Sequence, residues 1–303
     1  MKKPVQILIL ITLLGLTLAG TAYAQSPTPT PRAATPAGPV GTPTPTIPPP
    51  PTPIPCPMAT ADTPAVKDAF EQRLVELINA QRFEEKMPPL KRITELTRSS
   101  RFHASDMAKK SYYQYDSYDV VNGKQQKVCE WAGRIKNYYP GMVGVVEVLT
   151  LGQKSPAEAL DAWYNRSMEM SALMSGFIWE IGVGYVESAK EPKTFWVADL
   201  GRRIGSYPVI INYEAAVTSS PNVTLYAYGE WKEMRLRNDK GTWSKWMPFK
   251  NTVSWTLPSK LGEHTVEVEL KDEVATVSSS DSINLIKGKR SLVPLVIRKN
   301  NSK

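Results

Sequence analysis

The segment from Ala162 to Tyr185, AWYNRSMEMSALMSGFIWEIGVGY, constrains the fold more than any other part of this chain. It predicts a helix that carries Trp163, then a loop, then a strand with the sequence IGVGY. Glycine inside a strand often marks a site where another main chain comes close. Gly182 and Gly184 therefore predict a second backbone packed tightly against that strand.

The first 24 residues have the pattern of a signal peptide. Lys2 and Lys3 precede an apolar run, and Ala22-Tyr23-Ala24 forms a small-x-small cleavage site. An uncleaved membrane anchor is the alternative, although the run is short for a bilayer span of about 20 residues. No later segment is apolar enough to span a membrane. We therefore expect a secreted or cell-surface protein with no membrane span after cleavage.

Residues 25–62 predict a linker between the signal peptide and the folded part. Residues 26–57 hold 14 of the 26 prolines of the chain, and they show no hydrophobic periodicity. Such a tract forms an extended, semi-rigid spacer with polyproline II character. It could be a stalk that holds the folded part away from a surface, or a leader with no specific role.

Charge and cysteine content narrow the classes of protein further. The formal net charge is +8, of which Lys2 and Lys3 supply two charges. Basic and acidic residues are interleaved and no nucleic-acid-binding motif is present, so no nucleic-acid partner is expected. Cys56 and Cys129 are the only cysteines. In an exported protein two cysteines predict one disulfide, and two free thiols are the alternative.

Residues 63–204 predict alternating helices and strands. Thr63 and Pro64 suit the start of a first helix, and Leu96, His103 and Met107 share one face of a second. Residues 112–130 are expected to be loop or short extended structure. The further predicted elements are a strand at Val143–Leu149, a helix from Ser155-Pro156, and strands at 179–186 and 194–200.

Several of these positions resemble one family. They are Asn79, Arg82, His103, Met107, Glu147, the segment from Trp163 to Gly184, and the strand FWVADLG at 195–201. The pattern is similar to the CAP superfamily of cysteine-rich secretory, antigen-five and pathogenesis-related proteins, in its bacterial SCP-like form. The resemblance implies a bacterial origin and a three-layer α/β/α sandwich for residues 63–204.

From Gly205 onward the hydrophobic pattern changes to alternation. Six short segments between residues 207 and 286 alternate apolar and polar residues and are separated by Gly, Asn, Asp and Pro. Residues 205–286 therefore predict a small antiparallel β-sandwich, immunoglobulin-like or fibronectin-like. The basic tail at 287–303 could be a last strand or a sorting signal. The fold class predicted for the whole chain is α+β.

The CAP resemblance also implies a cleft between the layers. Bacterial relatives usually carry two histidines there, with one or two acidic residues, and some members bind zinc or another divalent ion. Here Tyr115 and Glu169 stand at the histidine positions, while Glu147 keeps the acid. His103 is a further cleft candidate, or a hydrogen-bonded structural residue.

That residue set is poor for a metal. A zinc site commonly uses at least three protein ligands, mostly nitrogen or sulfur, and calcium prefers more oxygen atoms than this cleft offers. We therefore predict no metal and no other cofactor. His264, in the second part, is expected at the surface without a partner.

The tryptophans fall into two groups, those expected in the apolar cores and those that could bind a ligand at the surface. Trp163, Trp179 and Trp196 are expected in the first core, and Trp255 in the second. Trp243 and Trp246, in the phrase GTWSKW, could stack on sugar rings or cap one end of the sandwich.

Two functions follow, and they belong to different classes. The first is a non-enzymatic exported protein that binds an extracellular or cell-surface ligand, such as a cell-wall glycan, a lipid or a protein, with no catalytic residue. The second is a cell-wall or peptide hydrolase that uses Glu147 and Glu169 as paired carboxylates. A surface protein whose parts act only as spacers is a third possibility.

Overall fold

The fold is that of a computed structural model, which describes Cys56 and residues 62–189 and 194–288. The predicted signal peptide, nearly all of the predicted linker and most of the basic tail lie outside these residues. None of the described helices is both long and apolar enough to cross a membrane. The helices are α1 (Asp68–Glu84), α2 (Thr94–Lys110), α3 (Trp131–Tyr138), α4 (Pro156–Tyr164) and α5 (Ser167–Leu173).

A four-stranded sheet forms the centre of the first part, residues 68–203. Its order is β1-β5-β6-β4, with β1 parallel to β5 and the other pairs antiparallel. A separate hairpin joins β2 to β3. The strands of this part are β1 (Lys91–Arg92), β2 (Ser117–Val121), β3 (Lys124–Cys129), β4 (Met142–Leu151), β5 (Glu180–Glu187) and β6 (Thr194–Arg203).

Helices cover both faces of the sheet, so the predicted α/β/α order is confirmed. Apolar residues of α1 and α4, including Leu74 and Trp163, pack on one face against Ile181 and Trp196. Helix α2 lies on the other face, with Met107 in a second apolar cluster. A Cβ atom on Gly182 would lie 2.0 Å from the main chain of α2 at Leu96, which confirms the close approach.

Local structure differs from the sequence prediction at the start of the first helix. Helix α1 begins at Asp68 without a side-chain cap, so the prediction of a cap at Thr63 was wrong. Residues 112–130 contain the β2–β3 hairpin, closed by Asn122 and Gly123, both with positive φ. An Asn-Gly pair between two strands is the usual signal of such a turn, and it was present in the sequence.

Two sheets form the second part, residues 209–285, and enclose one apolar core. Their orders are β11-β10-β13-β14-β8 and β12-β9-β7. The predicted sandwich is antiparallel except that β8 runs parallel to β14. The strands are β7 (Val209–Ile211), β8 (Val217–Thr218), β9 (Asn222–Ala227), β10 (Glu233–Asn238), β11 (Met247–Pro248), β12 (Thr252–Thr256), β13 (Gly262–Lys271) and β14 (Thr276–Leu285).

Buried polar contacts and aromatic rings join the two parts. The Tyr228 hydroxyl donates a hydrogen bond to the Pro89 carbonyl at 2.7 Å. The Trp179 ring stacks on Tyr228 with centroids 4.7 Å apart, and the Arg202 guanidinium lies 3.6 Å from the Trp179 ring centre. Trp179 therefore belongs to the junction, and its predicted place in the first core was wrong. Trp163 and Trp196 are fully buried in that core, as predicted.

Cys56 and Cys129 form the predicted disulfide, which joins residues 73 positions apart. We expect the double variant Cys56→Ala/Cys129→Ala to lose about 4 kcal/mol of unfolding free energy, because the bond restricts a long loop in the unfolded chain. Urea denaturation of oxidised wild type and variant measures the loss. Equal midpoints, or a wild-type mass that does not change on reduction, would contradict the prediction.

Candidate functional site

One cavity of about 280 Å³ lies along strand β4 of the first part. Three of the four predicted cleft residues line it, namely Tyr115, Glu147 and Glu169. Its remaining lining is apolar and comes from β4, α3 and α5: Trp131, Val146, Val148, Met168 and Ala172. Met168 at the rim is 81% exposed. A largely apolar concavity with a few polar groups is typical of ligand sites.

The floor of the cavity holds a buried ion pair. Glu147 and Arg134 both have fully buried side chains, and the Arg134 guanidinium donates to Glu147 Oε2. Arg134 also donates to the Tyr115 carbonyl at 2.9 Å and to Ser117 Oγ at 3.0 Å. Helix α3 therefore ties Glu147 to the segment that carries Tyr115.

His103 lies behind the cavity rather than on its surface. Its side chain is fully buried on α2, and Nε2 is 2.9 Å from the Gln114 carbonyl, which makes Nε2–H the donor. Nε2 is 3.9 Å from Glu147 Oε1. Burial lowers the pKa of His103 well below its usual value, and the Arg134 charge adds to that shift. The imidazole is therefore neutral at physiological pH.

A second carboxylate lies beside Glu147 on the neighbouring strand. Asp199 on β6 is the register partner of Glu147 on β4, and its side chain is buried. Among the described residues, Glu147 Oε1 and the two carboxylate oxygens of Asp199 accept no well-aligned hydrogen bond, although the Ser99 and Ser100 hydroxyls beside Asp199 act to lower its pKa. When both carboxylates are ionised, the single guanidinium of Arg134 leaves the cluster with one negative charge in excess.

Burial raises the pKa of both acids. The pKa of Glu147 lies well above its usual value because of burial, and the Asp199 charge raises it further against the opposing effect of Arg134. Burial also raises the pKa of Asp199. Since like charges this close disfavour double ionisation, the pair holds a shared proton to higher pH than a free carboxylate would.

The exposed side of the cavity carries its own ion pair. Arg166 donates to Glu169 at 2.9 Å and to Thr150 Oγ1 at 3.0 Å. Burial, followed by the charge of Glu169, raises the pKa of Tyr115, so its hydroxyl stays protonated at neutral pH. This rim offers one hydroxyl donor and one carboxylate already neutralised by an arginine.

These residues do not fit the metal that the family resemblance implies. Glu147 is held by a guanidinium, and the Nε2–H of His103 is engaged by a carbonyl. Over residues 62–189 and 194–288, no three His, Cys, Asp or Glu side chains are arranged to hold a metal ion. Tyr115 and Glu169 replace nitrogen donors with a neutral phenol and a paired carboxylate, which suits zinc poorly.

Sequence reasoning missed Arg134, Asp199 and Trp131. Arg134 precedes Ile135 and lies on the buried side of α3, a helix that was not predicted. Asp199 was visible as a single acid inside the apolar strand FWVADLG. A charge within a buried run signals a paired group, but the partner depends on the register between β4 and β6.

We expect Asp199→Asn to change the pH dependence of stability. Because the folded pKa of Asp199 is raised, its favourable contribution is present at low pH and is lost as pH rises through that folded pKa. The amide keeps the shape, removes the excess charge and can donate to Glu147. At pH 8 the variant should be more stable than wild type by about 1–3 kcal/mol, the range for an unsatisfied buried group.

Urea denaturation between pH 4 and 8 measures this difference, which should shrink toward acid pH. Asp119→Asn is the matched control because Asp119 is exposed, at 52%. An Asp199→Asn curve parallel to that of wild type would contradict the shared proton.

His264 is buried, and its ring nitrogens lie 2.7 Å from Asp239 Oδ2 and 2.6 Å from the Lys260 carbonyl. The prediction of a surface residue without a partner was therefore wrong. The hydrogen bond with Asp239 raises the pKa of His264.

Trp243 and Trp246 are half-buried and lie beside cationic side chains. Arg237 is 4.3 Å from the Trp243 ring centre, and Arg235 is 4.6 Å from that of Trp246. A sugar ring would have to displace these cations from the indoles. Trp255 is half-buried against the second core, and its indole N–H donates to Asn238 at 2.7 Å.

Comparison with known proteins agrees with the architecture of the first part. Residues 75–200 match the model of the Cysteine-rich secretory protein family, CAP. The Bacillus subtilis protein YkwD is 30% identical over 129 residues, which are 43% of this chain and 47% of that protein. The chain thus spans about half the length of the curated relative it matches.

Two solved structures are also similar to part of this chain. An extracellular protein containing a SCP domain from Bacillus anthracis is 19% identical over 46% of this chain and 42% of its own, with a TM-score of 0.39. An outer surface protein from Borrelia burgdorferi is 17% identical over 45% of this chain and 93% of its own, with a TM-score of 0.38. Residues 75–200 are a CAP domain, and this is a CAP-domain protein of bacterial type.

Proposed function

We propose that this protein acts outside the cell as a non-enzymatic binding protein and that the β4 cavity holds its ligand. The observation that carries this proposal is the cavity of about 280 Å³, with apolar walls and with carboxylates already paired to arginines. The disulfide supports an oxidising, extracellular compartment.

A hydrolase is the second candidate, because a buried acid with a raised pKa can serve as a general acid. The ion pairs weigh against it. Glu147 has no exposed side-chain area, and Arg134 holds one of its oxygens. Glu169 is held by Arg166 in the same way at the rim. Neither carboxylate is free to protonate a leaving group or to activate water.

Calorimetric titration of the mature protein tests the binding proposal. The probes are solubilised peptidoglycan fragments, palmitate and a linear peptide library, one for each predicted ligand class. Met168→Lys adds a charge at the rim without removing buried contacts, and should weaken binding about 10–100-fold, the equivalent of one apolar side chain. Ile204→Lys is the matched control, because Ile204 is 79% exposed and does not line the cavity.

Three results would contradict the proposal. Binding could be absent with every probe, or equal in the two lysine variants. Turnover of peptidoglycan or peptide that disappears in Glu169→Gln would favour the hydrolase instead.

A further inference from the structure

The cavity lies on the open edge of a sheet. Strand β4 is the last strand in the order β1-β5-β6-β4, so among the described strands only β6 pairs with it. Val146 and Val148 face the layer of α4 and α5, whereas Glu147 faces the layer of α2 and α3. All three line the same cavity, which therefore wraps around the strand edge.

The hydrogen-bond alternation shows which main-chain groups point outward. The Gly152 N–H donates to the Thr194 carbonyl at 2.9 Å, and Gly152 directly follows β4. In an antiparallel ladder alternate residues bond to the partner strand. Even-numbered residues from Val146 to Gly152 therefore bond to β6, and the N–H and C=O of Glu147 point away from it.

A second contact supports this assignment. The Trp179 N–H donates to the Gly201 carbonyl at 3.1 Å. The main-chain N–H and C=O groups of odd-numbered β6 residues therefore point toward β5. Glu147 pairs with Asp199, which is odd-numbered, as expected for a pair that is not hydrogen-bonded. No hydrogen bond from any described residue reaches the outward N–H or C=O of Glu147.

The cavity thus combines three features around one strand edge. A free main-chain donor and a free acceptor lie at Glu147. On one face of the strand the cavity wall is apolar and formed by Met168 and Ala172. On the other face the wall is aromatic and formed by Trp131. An exposed strand edge is a template for pairing with another chain, and pockets beside it select alternate side chains.

We propose that the ligand is an extended peptide segment that adds to the edge of β4 as a further strand. The inference rests on the proposed binding function of the cavity and names the chemical class of its ligand. The peptide exchanges main-chain hydrogen bonds with Glu147. Successive peptide residues are about 3.3 Å apart along the strand, and their side chains contact the Met168 wall and the Trp131 wall in turn.

The observations favour a peptide over the other ligand classes. A fatty acid would fill the apolar walls but has no donor and acceptor pair for the strand edge. A cell-wall glycan carries acetamide groups, but they are substituents on sugar rings and do not form an extended main chain that can pair with a strand edge. Arg166 already neutralises Glu169 and the other walls are apolar, so peptides with apolar side chains should be selected.

Selection from a phage-displayed library of random linear heptapeptides on the full mature chain tests the inference. The strongest peptide is synthesised with blocked ends and then N-methylated at one position at a time. We expect alternate positions to lose affinity about five- to tenfold, the effect of one hydrogen bond, and the positions between them to change little. Peptide saturation should also slow hydrogen exchange at the Glu147 amide, with no change at Val148.

Each other outcome has a distinct meaning. Failure to enrich peptides, methylation effects without alternation, or unchanged exchange at Glu147 would overturn the peptide inference. If peptidoglycan fragments or palmitate bind and peptides do not, the inference fails while the proposed binding function stands. If no probe binds, both fail. Ile204→Lys should bind the selected peptide as wild type does, and Met168→Lys should not.

Discussion

Lys91→Met should destabilise the protein by about 3–5 kcal/mol, because it leaves two buried carboxylates without their cation. Lys91 Nζ lies 3.1 Å from Glu214 Oε1 and contacts Asp281 at the junction of the two parts. All three side chains are largely buried. Burial, followed by the charge of Asp281, raises the pKa of Glu214 to about 8 even with Lys91 in place.

The effect of Lys91→Met should grow with pH. In wild type the folded pKa of Glu214 is above its unfolded value, so its favourable contribution is lost as pH rises toward about 8. Without Lys91 the acid can avoid an uncompensated charge only by keeping its proton. The loss should therefore be larger at pH 9 than at pH 6.

Urea denaturation at both pH values measures this prediction. Lys232→Met is the matched control, since the Lys232–Glu273 pair is exposed and 3.4 Å long, and it should change stability by less than about 0.5 kcal/mol. If the two variants unfold at the same urea concentration, the buried triad does not hold the parts together.

Gly182→Ala should be the second large effect, with a loss of about 3 kcal/mol or more, or failure to fold. The added Cβ would lie 2.0 Å from the main-chain carbon of Leu96 and from the nitrogen of Thr97. A flexible side chain could move aside, but here the obstacle is the backbone of α2. The helix would have to leave the sheet, and the contacts around His103 and Asp199 would loosen with it.

Gly176→Ala is the control for this substitution. Its added Cβ would meet only the Cε atom of Met87 at 3.2 Å, the mobile end of a side chain. Soluble yield and thermal midpoint are the measurements. A Gly182→Ala variant that matches Gly176→Ala in both would show that the helix–sheet contact is looser than the structure has it.

The sequence predicted most of the first part because its signals are local. Ser155 caps α4, with Pro156 at its first position, as the sequence indicates. The sequence also predicted α2, β4, β5 and β6 to within a few residues. The same reasoning missed α3, whose eight residues are too few for a clear period.

The candidate cleft residues were chosen by family resemblance rather than by spacing along the chain. Tyr115, Glu147 and Glu169 line one cavity, and His103 packs behind the cavity floor. The roles of Arg134 and Asp199 depend on contacts between elements that are distant in sequence, which no local pattern encodes.

What the sequence determined by itself is the alternation of helices and strands and the tight packing at Gly182 and Gly184. Only the tertiary structure decided that β4 is an edge strand with the outward main chain of Glu147 in a cavity, and that Trp179 joins the two parts. Strand order and register are set by pairing between distant segments. A residue's neighbours across a sheet therefore cannot be read from its neighbours along the chain.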